Sequence, residues 1–179
     1  MIRLAQEEDI GAIGLIYEKI HAAEEAGRVQ IGWIRGIYPT VETAKTALNR
    51  GDLFVSEENG IIVGAGIINQ CQMDAYREGH WSYSAGDQEI MVLHTLVIDP
   101  DEGRKGYGRA FVRFYEDYAE KHKCMVLRMD TNARNQTARQ LYRRLGYREA
   151  DIVPCTFNGI QGVQLVLLEK RLAGGNNEE

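Results

Sequence analysis

Residues 104–110 read Arg-Lys-Gly-Tyr-Gly-Arg-Ala and join an apolar strand, which ends at Asp99-Pro100, to an amphipathic helix. Gly106 and Gly108 can take backbone angles that are closed to other residues, and they let main-chain N–H groups approach an anion. Those groups lie at a helix N-terminus, where the helix dipole favours negative charge. The cations of the stretch are Arg104, Lys105 and Arg109. The stretch therefore predicts a diphosphate site, and an ordinary Gly-rich basic turn is the alternative.

A second motif covers residues 135–147, Asn-Gln-Thr-Ala-Arg-Gln-Leu-Tyr-Arg-Arg-Leu-Gly-Tyr. Its apolar positions recur at i, i+3, i+4 and i+7, the spacing of one helical face. These positions are Ala138, Leu141, Tyr142 and Leu145. Asn135 can cap the start of such a helix, and Gly146 fits the position just after its end. A short helix is predicted here.

Together the two motifs resemble the acetyl-coenzyme A (acetyl-CoA) site of the GNAT N-acetyltransferase superfamily. The resemblance includes strands predicted at residues 91–98 and 124–130, and it covers residues 89–170. It is specific because it is compound: a G-x-G helix start after a strand and proline is followed by N-x-x-A-x-x-L-Y-x-x-x-G-Y. One position departs from the family, since Gly103 stands where Gln or Arg usually opens the first motif. Arg is displaced to position 104, which leaves open which side chain meets the phosphates.

Hydrophobic periodicity predicts an alternation of strands and helices along the whole chain. Strands are expected at residues 2–4, 53–57, 61–69, 91–98, 124–130, 148–157 and 163–170, and helices at 8–26, 40–51, 106–122 and 135–146. This order predicts an α+β fold. The resemblance to GNAT proteins implies an α/β/α arrangement, with a mixed, largely antiparallel central sheet, helices on both faces and a splayed central strand pair.

Length and charge are those of a compact enzyme domain. A chain of 179 residues buries about 70% of its unfolded surface as one domain. We expect a single domain over residues 1–172 and a disordered tail over residues 173–179, which are rich in Gly, Asn and Glu. The net charge of −5 argues against nucleic acid and against an anionic membrane surface as partners. A cationic amine is the easier partner.

The N-terminal residues and the cysteines narrow the setting further. Residues 1–9 lack the basic and apolar blocks of a signal peptide, so a cytoplasmic protein is expected. Cys71, Cys124 and Cys155 are odd in number and widely spaced, which supports neither a disulfide framework nor a metal site. Small buried hydrophobes are the expected role of these cysteines, with a nucleophile as the alternative.

The family resemblance implies a cofactor site on both motifs and on the central strand. The central strand would bond the pantetheine arm and the acetyl carbonyl through Leu96, Val97 and Ile98, with a backbone N–H near Val97 facing the developing oxyanion. The implied cofactor contacts from the two motifs are Arg104, Lys105, Gly106, Tyr107, Gly108, Arg109, Ala110, Asn135, Ala138 and Tyr142. Acetyl-CoA is the expected cosubstrate, and no metal is expected.

Two residues are candidates for proton transfer. His94 is the first candidate for the base, because in a regular strand it shares one face with Val92, Leu96 and Ile98 and its ordinary pKa near 6.5 suits a proton acceptor. A core histidine bonded to backbone is the alternative. Tyr142 is the candidate acid for the departing thiolate, and core packing is its alternative. Since a phenol is a weaker acid than a thiol, hydrogen bonding to the thiolate is its expected contribution.

The acceptor pocket is less specified. The family resemblance implies two regions on the acceptor side, and their aromatic residues are Trp33, Tyr38, Tyr76 and Trp81. Aromatic faces suit apolar or cationic groups. Asp130, at the end of a predicted strand, is a candidate to pair with an ammonium. The segment from Gly32 to Thr40 is expected to fold over the cleft entrance. Packing, surface or capping roles are the alternatives for each of these residues.

These features predict an acetyl-CoA-dependent N-acetyltransferase that uses direct transfer in a ternary complex. The expected acceptor is a small-molecule primary amine rather than a peptide amine, and a homodimer is left open. A noncatalytic GNAT-like module that binds acyl-CoA as a sensor is the alternative. A dinucleotide-binding Rossmann domain fits less well, because the third glycine of its motif is missing and no alternating βαβ half follows.

Overall fold

The computed structural model describes residues 1–173. Most of the predicted tail therefore lies outside the described residues. The strands are β1 (Ile2–Leu4), β2 (Leu53–Glu58), β3 (Ile61–Asn69), β4 (Ile90–Ile98), β5 (Val126–Asn132), β6 (Arg148–Phe157) and β7 (Ile160–Arg171). The α-helices are α1 (Ile10–Glu25), α2 (Val41–Arg50), α3 (Tyr107–Lys121) and α4 (Gln136–Arg144).

The seven strands form one mixed sheet in the order β1-β2-β3-β4-β5-β7-β6. The pair β4–β5 is parallel, and the other neighbouring pairs are antiparallel. The predicted α+β fold class, with its largely antiparallel sheet, is confirmed. The parallel pair lies in the middle of the sheet because α3 carries the chain across one face between β4 and β5.

Apolar side chains cover both faces of the sheet. On one face α3 and α4 bury Phe111, Tyr115 and Tyr142 against β2, β3, β4 and β5. On the other face α1 and α2 bury Ile13 and Ala44, among others, against β2, β3 and β4. The segment 70–89 covers this second face further along, over β4, β5 and β7, with Tyr76 in its core. The helices therefore lie on both faces, as predicted.

Local signals fix the helix ends. The Thr40 backbone N–H donates to the side chain of Thr43 at the start of α2, and Gly51 ends that helix with φ of 78°. The Asn135 side chain accepts a hydrogen bond from the backbone N–H of Ala138 at 3.1 Å, so it caps α4 as predicted. Because β5 ends at Asn132 and Asn135 caps α4, the first turn of α4 lies beside the end of β5.

Candidate active site

The central parallel strands separate toward their carboxyl ends. Strands β4 and β5 pair from Ile90–Val126 to Leu93–Met129 and no further in the described chain. Beyond this point β5 continues along β7 and β4 continues along β3. The predicted splayed pair is therefore present, and it leaves the β5-facing edge of residues 95–98 without strand partners. Unpaired main-chain groups at such an edge are available to a ligand.

A bulge in β4 lies at the same place. Thr95 has φ of 50°, and the β3–β4 register shifts so that residues 95 and 96 stand opposite the single residue 66. The bulge changes the face of every following side chain. His94 faces the α2 side, whereas Leu96 packs toward the α3 side and Ile98 lies near Gly108 of α3. The expectation that His94 shares one face with Leu96 and Ile98 is therefore wrong.

A first cavity of about 470 Å³ opens at the fork between β4 and β5. Among the residues predicted to bind the cofactor, those that line it are Leu96, Val97, Ile98, Arg104, Asn135, Ala138 and Tyr142. Lys105 instead donates to Glu102 at 2.6 Å on the surface. Arg109 and Ala110 are exposed on the first turn of α3.

The start of α3 has the features of an anion site. Gly106 precedes the helix with φ of 88°, and Arg104 also has positive φ, 67°. The first helical hydrogen bond is that of Ala110 N–H to Gly106 O at 2.9 Å. The N–H groups of Tyr107, Gly108 and Arg109 therefore point out of the helix end. These donors and the cation of Arg104 suit a diphosphate.

The two glycines of the first motif have different roles. The left-handed conformation at Gly106 is the backbone angle that the sequence predicts. Gly108 lies inside α3, so the same expectation is wrong for it. A Cβ on Gly108 would lie 3.5 Å from Leu141 Cδ2, an ordinary contact distance. The packing of α3 against α4 therefore leaves room for a Cβ at Gly108.

Tyr142 lies on the buried face of α4 and lines the first cavity. Burial raises the pKa of Tyr142 far above its ordinary value, and the Asp130 carboxylate raises it further. Its hydroxyl has no hydrogen-bond partner within residues 1–173. The phenol is therefore neutral at physiological pH and free to donate a hydrogen bond into the cavity.

A second cavity, of about 540 Å³, lies on the other side of the fork. It shares Tyr38, Thr95, Asp130 and Phe157 with the first cavity. The Tyr76 hydroxyl donates to Asp130 Oδ2 at 2.7 Å. Desolvation nevertheless raises the pKa of Asp130 to about 6. Asp130 thus stands where the two cavities meet.

His94 lines the second cavity and not the first. Its Nε2 lies 3.0 Å from Asn69 Oδ1, and Asn69 Nδ2 donates to Asp52 Oδ2 at 2.8 Å. Because the Asp52 carboxylate accepts from the amide, the Asn69 oxygen faces His94, and His94 Nε2 carries the proton. Desolvation lowers the pKa of His94 to about 4. His94 is therefore a neutral hydrogen-bond donor and a weak base.

The predicted acceptor aromatics divide into two groups. Tyr38 bonds the Thr95 hydroxyl, and Trp33 packs edge-on against Tyr38 at 5.8 Å between ring centres. Gly32, Trp33 and Tyr38 line the first cavity, in keeping with the expected fold of their segment over the cleft. Tyr76 reaches the cleft through its bond to Asp130, whereas Trp81 lines neither cavity.

Sequence reasoning missed several contributors to the site. Thr95 and Phe157 line both cavities, and Asn69 orients His94. No short motif marks any of them. Arg128 did carry a signal, since a charged residue in an otherwise apolar strand requires a partner.

No group of three His, Cys, Asp or Glu side chains within residues 1–173 is arranged to hold a metal ion. No helix in the same residues has the length and apolar character needed to cross a membrane.

A match to the Acetyltransferase (GNAT) family covers residues 18–147. The chain therefore belongs to this family. It is 38% identical over 60 residues to the [ribosomal protein bS18]-alanine N-acetyltransferase of Escherichia coli K12. That alignment covers 34% of this chain and 40% of the length of the curated relative, so this chain matches less than half of that protein.

Solved structures share the fold over nearly the full chain. An acetyltransferase of the GNAT family from Streptococcus agalactiae matches with a TM-score of 0.79 and 24% identity, covering 97% of this chain and 95% of that one. A structure from Salmonella typhimurium that holds its cofactor acetyl-CoA matches with a TM-score of 0.67 and 18% identity. It covers 100% of this chain and 97% of that one.

Proposed function

We propose that the protein is an acetyl-CoA-dependent N-acetyltransferase that acts on a primary amine by direct transfer in a ternary complex. The observation that carries this proposal is the meeting of two cavities at the β4–β5 fork. The first is lined by Arg104 and Tyr142, and we assign the second to the acceptor. Asp130 and Thr95 line both cavities where the two meet.

In this proposal acetyl-CoA binds along the first cavity. The N–H groups at the start of α3 and Arg104 hold the diphosphate, and the unpaired edge of residues 95–98 holds the pantetheine arm. Asn135 stabilises the first turn of α4 beside that arm. Bound there, the cosubstrate supplies the activated acetyl group.

The proton of the acceptor ammonium must leave before its nitrogen attacks. An alkylammonium has a pKa near 10, so transfer to His94, at about 4, is uphill by about 8 kcal/mol. Transfer to Asp130, at about 6, is uphill by about 5 kcal/mol. Asp130 also borders both cavities. Asp130 is therefore the better proton acceptor, with His94 as the alternative.

The remaining groups act on the other bonds that change. As the C–N bond forms, a backbone N–H near Val97 stabilises the carbonyl oxygen. As the C–S bond breaks, Tyr142 donates a hydrogen bond to the sulfur. The nitrogen loses a second proton as the amide forms. Of the two protons released, one passes to the thiolate to give the coenzyme A thiol and the other passes to solvent, which balances the reaction.

The acceptor is a small-molecule amine in this proposal, because the segment Gly32 to Thr40 narrows the cleft with Trp33 and Tyr38. A peptide amine is the second candidate, favoured by the likeness to an alanine N-acetyltransferase of a ribosomal protein. To test both acceptor classes, the protein is incubated with acetyl-CoA and with amines, amino acids or peptides that begin with alanine. The release of the coenzyme A thiol is then measured for each acceptor. Tight acetyl-CoA binding with no turnover on any acceptor would establish the sensor alternative instead.

A further inference from the structure

Arg128 of β5 is a buried cation without an anionic partner. It is 7% exposed, and its Nε has no hydrogen-bond partner in the described part of the chain. One Nη donates to Gln72 Oε1 and the other to the Tyr83 carbonyl at 3.3 Å. No carboxylate of residues 1–173 lies within 4.0 Å of this guanidinium. Buried charges are normally paired, because leaving water is costly for an isolated ion.

The carboxylate nearest in the sheet is already engaged. Glu169 of β7 stands directly opposite Arg128 in the β5–β7 ladder. Its Oε1 accepts from Arg148 at 2.6 Å and from Ser82 N–H at 2.8 Å, while Oε2 accepts from Tyr83 N–H at 3.2 Å. Arg148 thus neutralises Glu169. Glu169 and Asp87 attract Arg128 from a distance, but no carboxylate of residues 1–173 forms an ion pair with it.

Arg128 also faces open space that joins the acceptor side of the cleft. A third cavity of about 430 Å³ is lined by Arg128, Trp81, Tyr76 and Gln72, and by the oppositely charged side chains of Asp87 and Arg77. It shares Gln72 and Met73 with the second cavity. Trp81 covers one face of the guanidinium, with 4.0 Å from Cζ to the ring centre. The edge of the guanidinium is the part left for a ligand, and it suits a carboxylate.

The distance to the proton acceptor limits the ligand. Arg128 and Asp130 are two residues apart on one strand, so their side chains leave the same face about 7 Å apart. A ligand that reaches both would carry its anionic group several bonds from its amine. Tyr76 lies between them, because its hydroxyl bonds Asp130 and its ring packs 5.4 Å from that of Trp81.

We propose that Arg128 binds a carboxylate of the acceptor, so that the substrate is an amine that also carries a carboxylate several bonds away. This inference rests on the proposed function, since it identifies the acceptor of that reaction. The carboxylate belongs to a free amino acid or to an acidic residue of a peptide. Both present the same chemistry to Arg128.

Matched acceptors test the proposal. Acetylation of ω-amino acids of increasing length is compared with that of their carboxamides, and Ala-Glu peptides are compared with Ala-Gln peptides. We expect kcat/KM to favour the carboxylate at least tenfold in one of these series. The series that shows the preference identifies whether the carboxylate comes from a free amino acid or from a peptide. Equal kcat/KM for every carboxylate and its amide would overturn the proposal.

Variants locate the effect. Arg128→Gln should lower kcat/KM for the carboxylate at least tenfold, mainly through KM, and should change that of the carboxamide less than twofold. Arg171→Gln removes the same charge from an exposed position on β7 and should leave both values unchanged. An unchanged carboxylate preference in folded Arg128→Gln would refute the assignment, as would an equal loss in Arg171→Gln.

Calorimetry separates this inference from the proposed function. Propionate and propionamide are titrated into the wild-type protein with coenzyme A present. Saturable binding of propionate alone supports the anion site even if no amine is acetylated, and this arm needs no variant to fold. Absence of binding by propionate, together with no carboxylate preference in turnover, would leave Arg128 without the proposed ligand.

Discussion

Asp130 and His94 both line the second cavity, but their surroundings shift their pKa values in opposite directions. Desolvation raises the pKa of Asp130 toward neutrality and lowers that of His94 away from it. His94 was the first candidate because of the face it was expected to share with Leu96 and Ile98. The bulge at Thr95 places those two residues on the opposite face from His94. A residue type alone therefore does not identify a base, because the local environment sets the proton affinity.

The two candidates give different pH profiles. Asp130→Asn should lower kcat/KM about 10²-fold at pH 7, the usual contribution of a general base. It should also remove the limb of the profile that rises through a pKa of about 6. At pH 9 to 10 the deficit should shrink, because more of the acceptor amine is already neutral. Steady-state rates across pH 5 to 10 measure both effects.

His94→Gln is the matched control, since its amide can still donate to Asn69. We expect less than a threefold change in kcat/KM and an unchanged profile. If His94→Gln loses the rising limb while Asp130→Asn overlays the wild type, His94 is the base and Asp130 is not.

Tyr142 should affect chemistry more than binding. Its hydroxyl is free to donate into the cavity, and a bond to the departing sulfur strengthens as negative charge develops. Tyr142→Phe should therefore lower kcat at least tenfold and change the Kd for acetyl-CoA less than threefold. Pre-steady-state kinetics and calorimetry make this comparison. Equal kcat in the two proteins would assign Tyr142 to packing alone.

At the scale of elements, the start of α3 depends on the left-handed conformation of Gly106. A side chain there is strained by about 1–2 kcal/mol, although a Cβ would meet no atom within 4 Å. Relief of that strain would move the N–H groups that face the diphosphate. Gly106→Val should weaken acetyl-CoA binding at least tenfold, or about 1.4 kcal/mol, as measured by calorimetry.

Gly51 provides the control for this variant. It ends α2 with φ of 78° and also has open space around its Cβ position. Gly51→Val should lower the free energy of unfolding by the same strain of about 1–2 kcal/mol and leave the affinity for acetyl-CoA unchanged. If both variants bind acetyl-CoA like the wild type, the start of α3 is an ordinary turn.

Elements were predictable where local physics decides them. Periodicity and caps such as Asn135 located the helices and strands closely, with β5 displaced by about two residues toward its carboxyl end. The bulge at Thr95 was not predictable, because the apolar run 91–98 reads as one regular strand. The bulged residue makes a tertiary contact, because the hydroxyl of Tyr38, distant in sequence, bonds Thr95. Such contacts leave no mark in a local pattern.

At the scale of the molecule, the family fold was predictable from two compound motifs, whereas the acceptor side was not. Trp81 was expected in the cleft, but it packs on Arg128 instead. That arrangement depends on how segment 70–89 folds back over β5 and β7, where Glu169 holds the N–H groups of Ser82 and Tyr83. Long segments without periodicity give no register from which such pairings follow.

Burial disfavours the ionised form of the Asp130 carboxylate, so its ionisation should reduce stability. The folded-state pKa of Asp130, about 6, lies above its ordinary value of 3.8. The stability contributed by its neutral form is fully present below about pH 4 and is lost as pH rises through 6. A rise of about 2 units corresponds to at most about 3 kcal/mol at pH 7. In the proposed reaction, function and stability therefore oppose each other at this residue.

Asp130→Asn should consequently stabilise the protein while it lowers activity. Asn cannot ionise, and its carbonyl oxygen still accepts the hydrogen bond from Tyr76. We expect the free energy of unfolding to exceed that of the wild type by about 1–3 kcal/mol at pH 7, with the difference vanishing near pH 4. Urea unfolding at the two pH values measures it. A wild type at least as stable as the variant at pH 7 would mean that Asp130 ionises there without penalty, and the case for its raised pKa, and for its role as proton acceptor, would fail with it.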